Sequence, residues 1–360
     1  MTRNRKAVFE YRRNHPKVFK EICETCIPQR HFKLLSHKEQ HDKDKHSSPS
    51  LRTIKAGELN SFICDEIEPD TTYNQRCKAV VHRLCCFMQN ELKPSEVIKS
   101  GSLGKGTAVK GKSDADLVVF LNNIDTISEL QENMTSIIDD MKSRLNKCDD
   151  CHVEGSTQFA VQISINCDGH SHSVDILPSI NIIGKETSEA IDGAIYEKIY
   201  KEMRNASQYD RKYYSAALAP LQVKFVSRVP PKVKTLIRLI KYWRKTEFQE
   251  RTDKHKLPSS YPLELIVIKE WENAGKHENF DLCKEFYHLL KTLADYKSLK
   301  HIWTENYSFN NFVSKPYYVV DPANPYNNVM DACDLWDHVA KKARKFLKVP
   351  LFLGLQSFSA

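Results

Sequence analysis

Two stretches of this 360-residue chain combine residue types that handle phosphate. The first, Gly101-Ser-Leu-Gly-Lys-Gly-Thr107, sets three glycines around Ser102 and Lys105. Glycines let backbone N–H groups close on phosphate oxygens, and a lysine among them adds a point charge. The run is not a Walker A loop, because Lys105 is followed by Gly106 and not by Ser or Thr, and it is not GxGxxG either. An ordinary glycine turn stands as the alternative. The second stretch, Asp114-Ala-Asp116, opens the short apolar run Asp116–Leu121. Residues i and i+2 of a strand point to one side, roughly 6–7 Å apart, and two carboxylates held so repel each other unless a cation lies between them. A solvated Asp pair at a strand start is the competing reading. Asp175 adds a third carboxylate on the polar face of an alternating segment whose Val174 and Ile176 share the other face, and an Asp in mid-strand is disfavoured without a reason. Three convergent carboxylates suit two Mg²⁺ ions, with Mn²⁺ as a substitute, one for an attacking oxygen and one for a departing phosphate.

The elements needed to hold these residues are readable around them. Apolar residues recur at helical spacing from Leu59 to Met88, interrupted at Glu68-Pro69-Asp70, which predicts two helices. DLVVFL (116–121) predicts a strand, and Phe159–Cys167 alternates with Val161, Ile163 and Ile165 on one face. Asp168-Gly169 then supplies a hairpin signal before a return strand from His172 to Leu177. Beyond residue 190 the period becomes helical, over 194–205, 232–246, 260–274, 280–298 and 334–347. A β-containing lobe followed by a helical lobe is the expected α+β arrangement.

Composition and charge narrow the class of partner. Hydrophobic residues make up 41% and charged residues 28%, a globular balance. Mean hydropathy is −0.53, and no window approaches the roughly 18 apolar residues of a membrane span. The basic start has no apolar h-region, so no secretory signal is expected. Eleven cysteines without a framework rhythm predict a reduced, cytoplasmic protein. Of the net charge of +8, residues 1–56 carry all, with 14 Lys and Arg against 6 Asp and Glu, and His31–Ser50 is composed like a linker. The segment 198–256 is itself +11, with 16 Lys and Arg against 5 Asp and Glu. Such concentrations suit polyphosphate partners, a solvated lysine-rich face being the alternative.

GSLGKGT followed by KSDADLVVFL, then SVDILP, resembles the nucleotidyltransferase core of the 2′-5′-oligoadenylate synthases. The likeness continues through VKTLIRLIKYW (233–243), LPSSYPLELIVIKEWENAG (257–275) and VVDPANPYNNV (319–329), so it covers about residues 57 to 350. It implies a core lobe of the DNA polymerase β type with a twisted mixed or antiparallel sheet over 57–215, a helical lobe over 216–350, a basic extension before and a short tail over 351–360. It also implies an RNA-sensing, template-independent enzyme of antiviral signalling that polymerises ATP, both donor and acceptor, into 2′-5′-linked oligoadenylates. By the same resemblance Asp114, Asp116 and Asp175 hold the metals. Ser102, Lys105, Arg238 and Lys241 take the donor triphosphate, and Tyr261 packs against the donor base, a buried core tyrosine being the competing reading. Helix 232–246 supports a phosphate role on its own terms, since Lys234, Arg238, Lys241 and Lys245 share a face away from Val233, Leu236, Ile237 and Ile240. Lys234 and Lys245 are expected to be solvated or to face RNA.

Departures from the family pattern concern the ligands. Ser260 stands where vertebrate members carry glutamine, Ser100 where the loop has a further Gly, and Leu103 in place of a small residue. Lys99 matches a family contact to double-stranded RNA. Val223 and Ser227 replace expected basic residues, although Lys224 and Arg228 lie one step along. No cysteine falls between Cys167 and Cys283, so the zinc thumb of cyclic GMP–AMP synthase is not expected. Cys23 and Cys26 with His31 and His37 form an irregular zinc candidate, and Cys148-Asp-Asp-Cys151 reads as a solvent loop. A cyclic dinucleotide synthase and a catalytically inactive RNA-binding paralogue are the rival functions.

Overall fold

A computed structural model of the chain describes residues 21–23, 30–32, 49–111, 115–167, 170–184, 193–248, 256–307 and 315–355. The chain divides into two units, Met1–Ile54 and Lys55–Ala360. In the first, β1 (Glu21–Cys23) and β2 (Arg30–Phe32) pair antiparallel with Glu21 opposite Phe32. His31 and Phe32, expected to open a linker, are therefore strand residues. Residues 33–48 of that stretch, and the side chains of Cys23, Cys26, His31 and His37, lie outside the described residues.

The second unit is built on a five-stranded mixed sheet in the order β3-β4-β7-β6-β5, comprising β3 (Glu96–Ser100), β4 (Ala115–Phe120), β5 (Cys151–Ser156), β6 (Val161–Cys167) and β7 (His170–Ser179). Strands β4 and β7 run parallel, and every other pair in this sheet is antiparallel. The alternation read in the sequence sets the two faces. Leu117, Val119, Ile163, Val174 and Ile176 join a core with Val80, Leu84 and Met88 of α1 (Thr71–Leu92). Leu130, Met134, Ile138 and Met141 of α3 (Ile127–Leu145) complete it. Helix α3 starts where it does because the Thr126 side chain accepts from the Glu129 N–H at 3.1 Å while Glu129 accepts from the Asp125 N–H at 3.1 Å. The opposite face of β4, with Val118 and Phe120, packs on Ala219.

The glycine run forms a single short helical turn, α2 (Gly101–Lys105), ended by Gly106 at φ +71°. Helices α4 (Gly193–Asn205), α7 (Pro231–Glu247), α8 (Ser260–Asn273), α9 (Leu282–Ala294) and α10 (Trp336–Phe346) follow the periodicity closely, whereas α5 (Arg211–Ala217) and α6 (Ala219–Ser227) fill a stretch for which no helix was expected. Proline at the first turn of α6 and α7 supplies a fixed φ where no N–H is needed. The helical lobe also contains a three-stranded sheet that the period did not announce. It is ordered β10-β9-β8 from β8 (Lys300–His301), β9 (Tyr318–Asp321) and β10 (Asn324–Asn328). No described helix is long and apolar enough to cross a membrane.

Candidate active site

Sheet register brings the carboxylates together. Asp116 and Asp175 are direct partners across the parallel β4–β7 pair, and Ser100 on β3 is the partner of Asp116 on its other side. Because side chains alternate, both aspartates share a face with Val118 and Leu177 and point away from the α1–α3 core. Gln162, opposite Asp175 on β6, donates from Nε2 to Asp175 Oδ1 at 3.3 Å. Gly101 follows β3 at φ +61°, and a Cβ there would run into Asp116 Oδ2, so the carboxylate lies directly on the start of the glycine turn. Asp114 and the hairpin residues Asp168 and Gly169 lie outside the described residues. Among the described residues no group of three His, Cys, Asp or Glu converges. Two carboxylates in register, in contact with a phosphate-type turn, are a donor set of the kind Mg²⁺ takes, with the third acid two residues away in sequence.

Behind the turn lies a buried charge cluster. Glu264 of α8 is 1% exposed and accepts from Lys105 Nζ at 3.1 Å, Thr107 Oγ1 at 2.8 Å and Lys241 Nζ at 3.1 Å. Burial alone would raise its pKa, but Lys105, Lys241 and Thr107 outweigh that and hold it below the usual carboxylate value. Lys241 also donates to the Thr107 carbonyl at 3.0 Å. Arg238 donates to the carbonyls of Ala108 at 3.0 Å and Gly106 at 2.7 Å, and lies 3.5 Å from Glu68. Helix α7 thus grips the far side of the turn, residue by residue, from Gly106 to Ala108. Gly104 is equally enclosed, since a Cβ would meet the Lys99 carbonyl oxygen.

A cleft of about 730 Å³ opens over the turn, within the usual range for small-ligand sites. Asp116, Asp175, Gly101, Lys105 and Tyr261 line it. Lys105 Nζ lies 3.9 Å from the centroid of the Tyr261 ring, close enough for a cation–π contact. The Tyr261 hydroxyl donates to buried Asp321 at 2.9 Å.

Lys105, Tyr261, Asp116 and Asp175 are therefore brought to one cleft. Ser102, Arg238 and Lys241 are not among its lining: Ser102 is buried in the turn, and the two cations of α7 are bound to the turn's carbonyls. Lys99 on β3 and Lys224 on α6 are half-buried on adjoining elements, Gly104 lying against both the Lys99 carbonyl and Val223, while Arg228 is exposed just beyond α6. Lys234, expected in solvent or on RNA, instead donates to the Ser227 carbonyl at 2.6 Å at the end of α6. Cys148, expected in a solvent loop, is buried, and burial followed by its neighbour Cys148 pushes the Cys151 thiol up to about 12. Glu264 and Asp321 were not singled out from the sequence. Their signal was an acid inside an apolar run, Leu263-Glu-Leu-Ile and Val319-Val-Asp.

Residues 189–358 match the family described as 2′-5′-oligoadenylate synthetase 1, domain 2, C-terminus, and residues 83–177 match the nucleotidyltransferase domain family. The chain is 30% identical over 340 residues to 2′-5′-oligoadenylate synthase 1A of Mus musculus, covering 84% of this chain and 90% of that protein. It is also 26% identical over 345 residues to the inactive 2′-5′ oligoadenylate synthetase 1C of Mus musculus, covering 84% of this chain and 92% of that one. In fold it is similar to CdnC of E. coli MS115-1 solved with ATP, at TM-score 0.55 and 20% identity, covering 81% of this chain and 89% of that chain. Two paired aspartates on a nucleotidyltransferase sheet, extended by the matching helical lobe, make this chain a member of the 2′-5′-oligoadenylate synthase family.

Proposed function

We propose that this chain is an RNA-activated nucleotidyltransferase that joins ATP into 2′-5′-linked oligoadenylates with release of pyrophosphate. The register pairing of Asp116 with Asp175 over the glycine turn is the observation that carries the reading. Asp114, Asp116 and Asp175 would hold two Mg²⁺ ions. Bound there, the metals supply Lewis acidity toward the acceptor hydroxyl and the departing phosphate. Lys105 and the N–H groups of the turn orient the donor triphosphate, and Tyr261 supports the donor base. The acceptor 2′-oxygen forms a bond to the α-phosphorus as the bond from that phosphorus to the β-bridging oxygen breaks, and Asp175 takes the hydroxyl proton. For Arg238 and Lys241 to touch the triphosphate, their bonds to Gly106, Thr107 and Ala108 must exchange for phosphate oxygens. Lys99, Lys224 and Arg228 are proposed as contacts to double-stranded RNA, with 57–215 and 216–350 as the two lobes. A cytoplasmic place in antiviral signalling goes with this reading, and the eight cysteines whose side chains are described are free thiols.

The test is incubation of the pure protein with labelled ATP and Mg²⁺, with and without double-stranded RNA. Products that carry a 5′-triphosphate and resist a nuclease specific for 3′-5′ bonds are expected. A product lacking that triphosphate would indicate a cyclic dinucleotide synthase, and no product under any condition an inactive RNA-binding paralogue.

A further inference from the structure

Asp321, at the end of β9, is fully buried and uses both carboxylate oxygens. Oδ1 accepts from the Tyr261 hydroxyl at 2.9 Å and from the Ala323 N–H at 2.8 Å. Oδ2 accepts from Gln222 Nε2 at 2.8 Å and from Asn327 Nδ2 at 3.2 Å. Three of these partners, Tyr261 on α8, Gln222 on α6 and Asn327 on β10, line the cleft that also holds Asp116 and Asp175. One acid therefore ties together side chains from three separate elements.

A carboxylate without its proton only accepts, whereas a side-chain amide has a donating and an accepting end of nearly equal size. Next to Asp321 the two amides have no choice of orientation. Their NH₂ groups must face the acid, and Gln222 Oε1 and Asn327 Oδ1 become the other polar edge. Burial lifts the pKa of Asp321 above its ordinary value, against the lowering effect of the Ala323 N–H, Tyr261, Asn327 and nearby Lys105.

We propose that Asp321 is a positioning residue that holds Gln222 and Asn327 with their carbonyl oxygens toward the cleft, and that this accepting edge selects adenine nucleotides. Adenine presents a 6-amino donor where guanine presents a 6-oxo acceptor. The proposal rests on the reading that the cleft takes nucleoside triphosphates, and it names the residues that set which base is taken.

Asp321→Asn tests it without a change of shape. The Oδ1 of the new side chain can still accept from Tyr261 and from Ala323, whose backbone N–H can only donate, so its Nδ2 must point at the two amides. Two donors facing donors force Gln222 and Asn327 to turn over, and the edge becomes a donating one. Calorimetric binding of ATP and of GTP to the full chain with Mg²⁺ should show the ATP-to-GTP affinity ratio falling by about tenfold or more. Adding Gln222→Glu to Asp321→Asn supplies a carboxylate that accepts from the new amide, and should recover part of the ratio. Should Asp321→Asn fail to fold, Gln222→Met removes one amide without burying a charge, and a fall of about threefold in the ratio is expected. A folded variant that melts lower but keeps the wild-type ratio means that Asp321 is structural only, and overturns the proposal alone. A wild-type chain that binds neither nucleotide overturns the nucleotide reading and this proposal with it.

Discussion

Asp175→Asn keeps the shape of the side chain and its bond from Gln162, and removes the charge a metal needs. Synthesis measured as pyrophosphate release is expected to fall by at least about 10³-fold, roughly 4 kcal/mol, with an unchanged melting temperature. Near-normal turnover would remove Asp175 from the reaction. Gly101 offers a sharper residue-level test because Gly111 serves as its control. Both sit at φ +61°, so alanine at either costs the chain about 1–2 kcal/mol of left-handed strain. Only at Gly101 does the added methyl run into Asp116 Oδ2, whereas at Gly111 no atom of the described residues lies within 4 Å of it. Gly101→Ala should therefore lose about 10²-fold in turnover, the cost of a carboxylate displaced by about 1 Å. Gly111→Ala should lose comparable stability and keep its turnover.

Between elements, Glu264 joins α8 to the turn and to α7, and its charge state should show in acid melts. Its folded pKa is depressed, so the stability it contributes is present above the ordinary carboxylate value of 4.5 and is lost as the pH falls through the folded value. Glu264→Gln should flatten that acid limb. At pH 7 it should cost about 3 kcal/mol, because Lys105 and Lys241 are left buried without their partner. A wild-type acid limb retained in the variant would assign the stability elsewhere. How such elements read from sequence depended on how local their cause was. Helix α7 was legible because its stripe is complete within one segment, α8 because its run Pro262–Ile268 is apolar throughout except for Glu264, and the aspartate pair because Val174 and Ile176 fix the face of Asp175. Helix α3 carries an equally legible stripe from Ile127 to Leu145 and a Thr126 cap, which a motif-led reading passes over. The β8–β10 sheet was not legible, since its first strand has two residues and finds its partner at Tyr318. Glu264 and Asp321 stand out as types, but the partners of Glu264 lie 23 to 159 residues away and Asp321 draws Tyr261 and Gln222 from 60 and 99 residues away, and no local pattern carries that.

At the scale of the whole chain, the unit Lys55–Ala360 contains every element of the cleft, while residues 1–54 hold 13 Lys and Arg against 6 Asp and Glu. Removing 1–54 is expected to leave a folded enzyme with undiminished activity at saturating RNA. RNA binding should weaken and become less salt-sensitive, log K losing about 0.9 of slope for each phosphate contact removed on a B-DNA-like duplex. Salt titrations and melts of both lengths check this, and a lower melting temperature with lost activity at every RNA concentration would mean that the extension is part of the folded body. The sheet itself imposes an order of events. Strand β7 is last of its five in sequence but lies in the middle, between β4 and β6, so the halves β3-β4 and β5-β6 share no hydrogen bonds until it enters. Asp116 and Asp175, 59 residues apart, meet only at that closure. On a ribosome the two aspartates cannot pair until β7 has emerged as far as Ser179 and docked, so a chain that stops short of β7, or places it out of register, carries no Asp116–Asp175 pair at all.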